Sequence, residues 1–147
     1  MKYVKTVVIL LIVVASLFLA NRFITFGPPS PSVIVEDMDV PTVQGSYCWS
    51  GFLNSKCVDM IPPPELLSSA EIKPIQVRPQ SSIKIKFNKQ PKPGSLGANL
   101  WIKGTPLTVN VKENQFSAPK EPGVYVYDFF AAWEKGSSSY AFMIEVK

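Results

Sequence analysis

The chain has 147 residues, room for one domain with a tail, and is 46% hydrophobic and 18% charged, with 14 Pro, 8 Gly, 2 Cys, no His and a net charge of +4. Its apolar content excludes disorder throughout, and a single possible cysteine pair excludes a disulfide-dense scaffold. Lack of histidine removes every mechanism that needs an imidazole from this chain.

The first 26 residues read as one helix. Lys2 and Lys5 precede an uncharged run from residue 6 to 20, followed by Arg22 and the apolar residues 23–26. A basic start before about fifteen apolar residues is the layout of an export signal. The run is apolar on every face, so it does not read as an amphipathic surface helix. Ala20 suits the position before a signal-peptidase cut, but Phe18, two residues earlier, is bulky. The expectation is therefore an uncleaved single-pass anchor, with cleavage and release as the alternative. The short N-terminus carries more positive charge than the far side, which places it in the cytoplasm and the remainder outside. From Pro28 onward there are 12 Lys and Arg against 11 Asp and Glu. The basic balance is thus a topology signal, and no nucleic-acid partner is expected.

Residues 27–32, Gly-Pro-Pro-Ser-Pro-Ser, read as a Pro-rich spacer of extended path. Residues 33–147 then read as one extracytoplasmic domain. Cys48 and Cys57 enclose eight residues and are expected to form a structural disulfide in an oxidising compartment. Redox catalysis prefers a Cys-x-x-Cys spacing at a helix start, which is absent.

Strand signals dominate from residue 33 on. Short strands are predicted at 33–35, 42–49 and 57–60. Residues 82–87 alternate, with Ile83, Ile85 and Phe87 inward and the lysines outward. Residues 107–112 behave alike. The longest strands, 123–130 and 139–146, flank a Gly-containing turn suited to a hairpin. A turn or two of helix is predicted at 64–69, where Pro64 suits a first helical position. Pro and Gly punctuate the gaps. The fold expected is all-β, an antiparallel β-sandwich of immunoglobulin-like type. Tyr125 or Tyr127 is the candidate for a tyrosine corner, its hydroxyl bonding back to the upstream backbone. The cysteines are too close in sequence for the inter-sheet pair of immunoglobulin domains.

The stretch Gly45-Ser46-Tyr47-Cys48-Trp49, then Lys56-Cys57-Val58-Asp59, then Pro63-Pro64-Glu65-Leu66-Leu67, resembles one found in small exported or membrane-anchored proteins of Gram-positive spore-forming bacteria. The likeness covers most of the chain after Pro41, and departs from the lipoprotein members in lacking a lipid-attachment cysteine. It implies location and fold and carries no activity.

Catalytic patterns are weak. Ser81 to Lys84 and Ser117 to Lys120 match Ser-x-x-Lys, but the first pair lies on an alternating strand and Pro119 interrupts the second. Glu36, Asp37 and Asp39 lack the loop glycine and further oxygens of a calcium loop. No cofactor or metal is expected. Among the acids, Asp128 alone interrupts an otherwise apolar strand, either on an outer face or as a bonded buried group. The aromatics Tyr47, Trp49 and Phe52, with Pro63 and Glu65 in the adjoining Pro-rich segment, form the candidate contact surface for a protein or cell-envelope partner. The function expected is a membrane-anchored, non-enzymatic binding module. The alternatives are a carboxylate-dependent envelope hydrolase or transferase, and a secreted inhibitor or signalling protein.

Overall fold

The computed structural model describes residues 2–23, 27–51 and 54–147, with the side chains of the first helix described over residues 3–17. Helix α1 (Lys2–Phe23) forms where β-branched and leucine residues run without Gly or Pro. Every described side chain on it is exposed, including Ile9, Leu10, Leu11 and Ile12. Among the described residues no helix is long and apolar enough to cross a membrane.

The rest is the expected antiparallel β-sandwich. A four-stranded sheet has the order β2 (Met38–Val40), β1 (Pro31–Val35), β6 (Ser82–Phe87), β9 (Gln115–Ser117). The larger sheet has the order β4 (Ser55–Val58), β3 (Val43–Ser50), β11 (Gly136–Val146), β10 (Gly123–Trp133), β7 (Gly97–Ile102), β8 (Thr105–Val109). The short β5 (Ile75–Val77) runs parallel to the end of β11. Helix α2 (Pro63–Ser69) lies between β4 and β5 in the chain, with proline in its first turn as predicted.

The two sheets face each other through aromatic side chains. Alternation puts Tyr127, Phe129, Ala131 and Trp133 of β10 on the inner face with Tyr140, Phe142, Ile144 and Val146 of β11. Val33, Val35, Ile83, Ile85, Phe87 and Phe116 meet them from the smaller sheet. Phe87 stands edge-on to Trp133 at 5.0 Å and to Phe129 at 6.0 Å. The Tyr125 hydroxyl donates to the Glu121 carbonyl at 2.8 Å, the corner bond anticipated for one of the two tyrosines. Tyr127 is buried, which pushes its hydroxyl pKa well above the usual range, with nearby Tyr125 adding to the rise.

The outer face of the larger sheet carries a second, smaller core. Leu66 and Leu67 of α2 bury against Ala141, with Val43, Ile72, Val126 and Met143 around them. The sheet is therefore covered on one face by its partner sheet and on part of the other by a single short helix.

Three expectations need correction. Residues 27–32 are not a free spacer: Pro31 and Ser32 open β1, and Pro29 is buried with its carbonyl accepting from Tyr140 Oη at 2.6 Å. The strand expected at 107–112 lies at Thr105–Val109, with Pro106 tolerated because β8 is an edge. Strands β2, β5, β7 and β9 were not expected. They are short or break the clean two-residue alternation.

Candidate functional site

The disulfide pair is directly opposed across β3 and β4, and Cys48 and Cys57 are joined. The β3–β4 hairpin sits at the edge of the larger sheet. Gly136, at the start of β11, passes close to it. A Cβ there would lie 2.0 Å from the Cys48 carbonyl oxygen, so only glycine permits this approach.

Structure divides the expected contact residues. Trp49 is 6% exposed and packs edge-on against Trp133 at 5.9 Å. It belongs to the inner core and is not on a contact surface, because β3 alternation aims Tyr47 and Trp49 to one side. Its indole Nε1 is buried without a hydrogen-bond partner among the described residues. Tyr47 is half-buried against the same core. Phe52 lies outside the described residues. Pro63 is half-buried at the start of α2, and Glu65 is exposed in its first turn.

A cavity of about 290 Å³ opens on the outer face beside these residues. Its floor is the larger sheet, at Gly45, Ser46, Trp101, Asp128, Ser139 and Ala141. Small side chains flank Asp128 on the β11 side, where Ala141 is its register partner, and this leaves the space open. The roof is the connection from β4 to α2, with Met60, Ile61, Pro62 and Pro63, and Leu66 closes the rear. Ser46 Oγ accepts from the Met60 amide at 2.9 Å and pins the roof to β3. Met60 and Ile61 are 42% and 51% exposed, so the mouth is apolar.

Asp128 is the charged group of this cavity. It is 9% exposed. Asn99 faces it directly across β7 and β10, and Trp101 lies diagonally on the same face. Trp101 Nε1 donates to Oδ1 at 2.5 Å. Asn99 Nδ2 donates to Oδ1 at 3.2 Å and to Oδ2 at 3.4 Å. All three contacts come from neutral donors, and Oδ2 receives only the long one. No lysine or arginine lines the cavity among the described residues, and no second carboxylate does.

The other acids go elsewhere. Glu36 sits at φ 50° in the two-residue turn between β1 and β2. Its carboxylate accepts from Ser81 Oγ, from the Arg78 amide at 2.8 Å, and pairs with Arg78 Nε at 3.1 Å. These contacts, the Ser81 bond first, hold its pKa below the ordinary value of 4.5. Ser81 of the Ser-x-x-Lys match is thereby committed to a turn. Asp39 accepts from Ser32 Oγ at 2.6 Å. Among the described residues no three His, Cys, Asp or Glu side chains gather as a metal site.

Of the residues that sequence marked for contact, Pro63 lines the cavity, and Tyr47, Trp49 and Glu65 do not. Asn99 was missed, and so was the pairing of Trp101 with Asp128. The only local signal was the carboxylate interrupting the apolar run of β10. Compared with known proteins, the chain matches no family, no curated protein and no solved structure.

Proposed function

We propose that the protein is a membrane-anchored, extracytoplasmic binding module with no catalytic activity, and that the Asp128 cavity with its Met60–Pro63 rim is its contact surface. The single observation that carries the binding role is the cavity itself: an open, apolar-walled hollow with one buried carboxylate held by neutral donors. Pockets of this kind, mostly apolar with a few placed polar groups, are the usual form of a recognition site. A carboxylate with no second acid or histidine beside it among the described residues offers recognition more readily than acid–base chemistry.

Anchoring is supported by α1, whose described residues expose apolar side chains on every face, a surface that water does not favour. Lys2 and Lys5 at its start orient the chain with its domain outside. The Cys48–Cys57 bond suits the oxidising side of a membrane. The domain reads as immunoglobulin-like from β5 onward. Strands β5, β11, β10, β7 and β8 form one sheet and β6 with β9 the other, and the Tyr125–Glu121 bond is a tyrosine corner. Strands β1 to β4 then extend both sheets, and α2 roofs one.

Protease added to intact cells is expected to digest the domain while the N-terminus stays protected. Recovery of the native protein in the cytosol with both thiols reactive would sink the location. A photo-crosslinking residue in place of Ile61 is expected to give a discrete adduct in cells, absent when it replaces Lys112. Equal labelling at both positions would remove the contact surface.

A further inference from the structure

Resting on the binding role just proposed, we infer that the Asp128 cavity is a receptor for a single cationic group on an aliphatic stem, namely the side chain of a lysine in an extended segment of a partner protein. The inference starts from charge. A carboxylate removed from water is costly unless paired and hydrogen-bonded. The two half-buried acids among the described residues show how this chain meets that cost. Glu36 has the Arg78 guanidinium at 3.1 Å, and Glu145 has Lys147 Nζ at 3.3 Å. Asp128 is more buried than either and has no cation among the described residues. Its bonds from Trp101 and Asn99 fix the carboxylate in place and leave Oδ2 with one long contact. An ionised carboxylate accepts at about four lone-pair positions, so capacity remains on the side of the cavity.

The walls select the rest of the ligand. The roof and rear of the cavity, Met60, Ile61, Pro62, Pro63 and Leu66, are apolar and suit a methylene stem, while Ser46 and Ser139 line the floor. Trp101 adds an aromatic side chain beside the charge, whose ring face favours a cation over an anion. The exposed Met60 and Ile61 give the neighbouring residues of a peptide an apolar edge on which to lie. An anionic ligand would meet Asp128, and a neutral one would leave it unpaired.

The test uses the full chain in detergent micelles, with the Trp101 indole Nε1–H resonance as reporter and the Trp133 indole, bonded to the Lys89 carbonyl in the inner core, as folding control. The probes are a capped Ala-Lys-Ala peptide, its norleucine counterpart and n-butylammonium. The lysine peptide is expected to move the Trp101 signal saturably and the norleucine peptide to leave it in place. The lysine peptide is expected to bind more tightly than n-butylammonium, through its backbone on the rim. Asp128→Asn keeps an acceptor for Trp101 and removes the charge. It is expected to weaken the lysine peptide at least about tenfold, the scale of a charge-assisted hydrogen bond. Ile61→Lys, at an exposed mouth position, is expected to weaken it severalfold by repulsion. Equal shifts with the norleucine peptide, or unchanged affinity in Ile61→Lys or in a folded Asp128→Asn, would overturn the cation site. An n-butylammonium affinity matching that of the peptide would overturn the protein-borne lysine in favour of a free amine. Failure of the crosslinking or protease experiments would leave this titration intact, so the two proposals fall separately.

Discussion

The two faces of the larger sheet carry tryptophans with opposite fates. On the inner face Trp49 is buried, stacked edge-on with Trp133, and leaves its indole N–H unpartnered. On the outer face Trp101 is half-buried and spends its N–H on Asp128. The inner face meets a whole sheet, which closes over Trp49 and leaves its N–H no acceptor among the described residues. The outer face meets a seven-residue helix that covers Leu66, Leu67 and Ala141 and stops short of Asp128. The site exists because the cover is too small for the sheet. A tryptophan's role here follows from what stands across from it, not from its own strand.

Substitutions can break that contrast. Trp49→Ala is expected to have the largest effect, a loss of about 3–5 kcal/mol in chemical denaturation, as for other buried large aromatics. A stability unchanged from the parent would show that the inner face is not closed at its β3 edge. Leu67→Ala is fully buried under α2. It should cost toward the lower end of the range of about 2–5 kcal/mol for buried leucines, because a short helix can settle into the gap. A loss as large as that of Trp49→Ala would mean the two faces are equally rigid.

The carboxylates sharpen the same point. Glu36→Gln is expected to lower the denaturation midpoint at neutral pH by less than either core change. The folded-state pKa of Glu36 lies below 4.5, so its contribution is present above that pH and fades as pH falls through the lowered value. The difference between variant and parent should therefore shrink on acidification, and a difference that grew would contradict the Arg78–Ser81 clamp. Asp128→Asn is expected to be the mildest in stability, within about 1 kcal/mol, because the amide oxygen still accepts from Trp101. A large loss would make Asp128 a structural brace first and a site second.

Much of this architecture was legible locally. Ser82–Phe87 alternates without a break, and its burial follows that alternation residue by residue. The β10–β11 hairpin was marked by its turn, and α2 by its prolines. What escaped was non-local. Trp49 looked like a surface aromatic beside a disulfide, because its partner Trp133 lies 84 residues on. β7 reads as no strand by itself: buried, half-buried and exposed residues follow each other without a two-residue rhythm. Without β7 there was no Asn99 or Trp101 to set against Asp128, so the one visible irregularity of β10 had no partners. The spacer at 27–32 was read from proline content alone. Its docking depends on Tyr140, more than a hundred residues away.

That docking has a mechanical consequence. Tyr140 belongs to the central strand β11, and its buried hydroxyl holds the carbonyl of Pro29 just before β1 begins. Any pull arriving along α1 therefore reaches the middle of the sandwich at once. From there it runs lengthwise into β1, which is paired with β6 from Pro31 to Val35. Five register pairs must slide together under such a load, where a strand gripped crosswise would unzip one pair at a time.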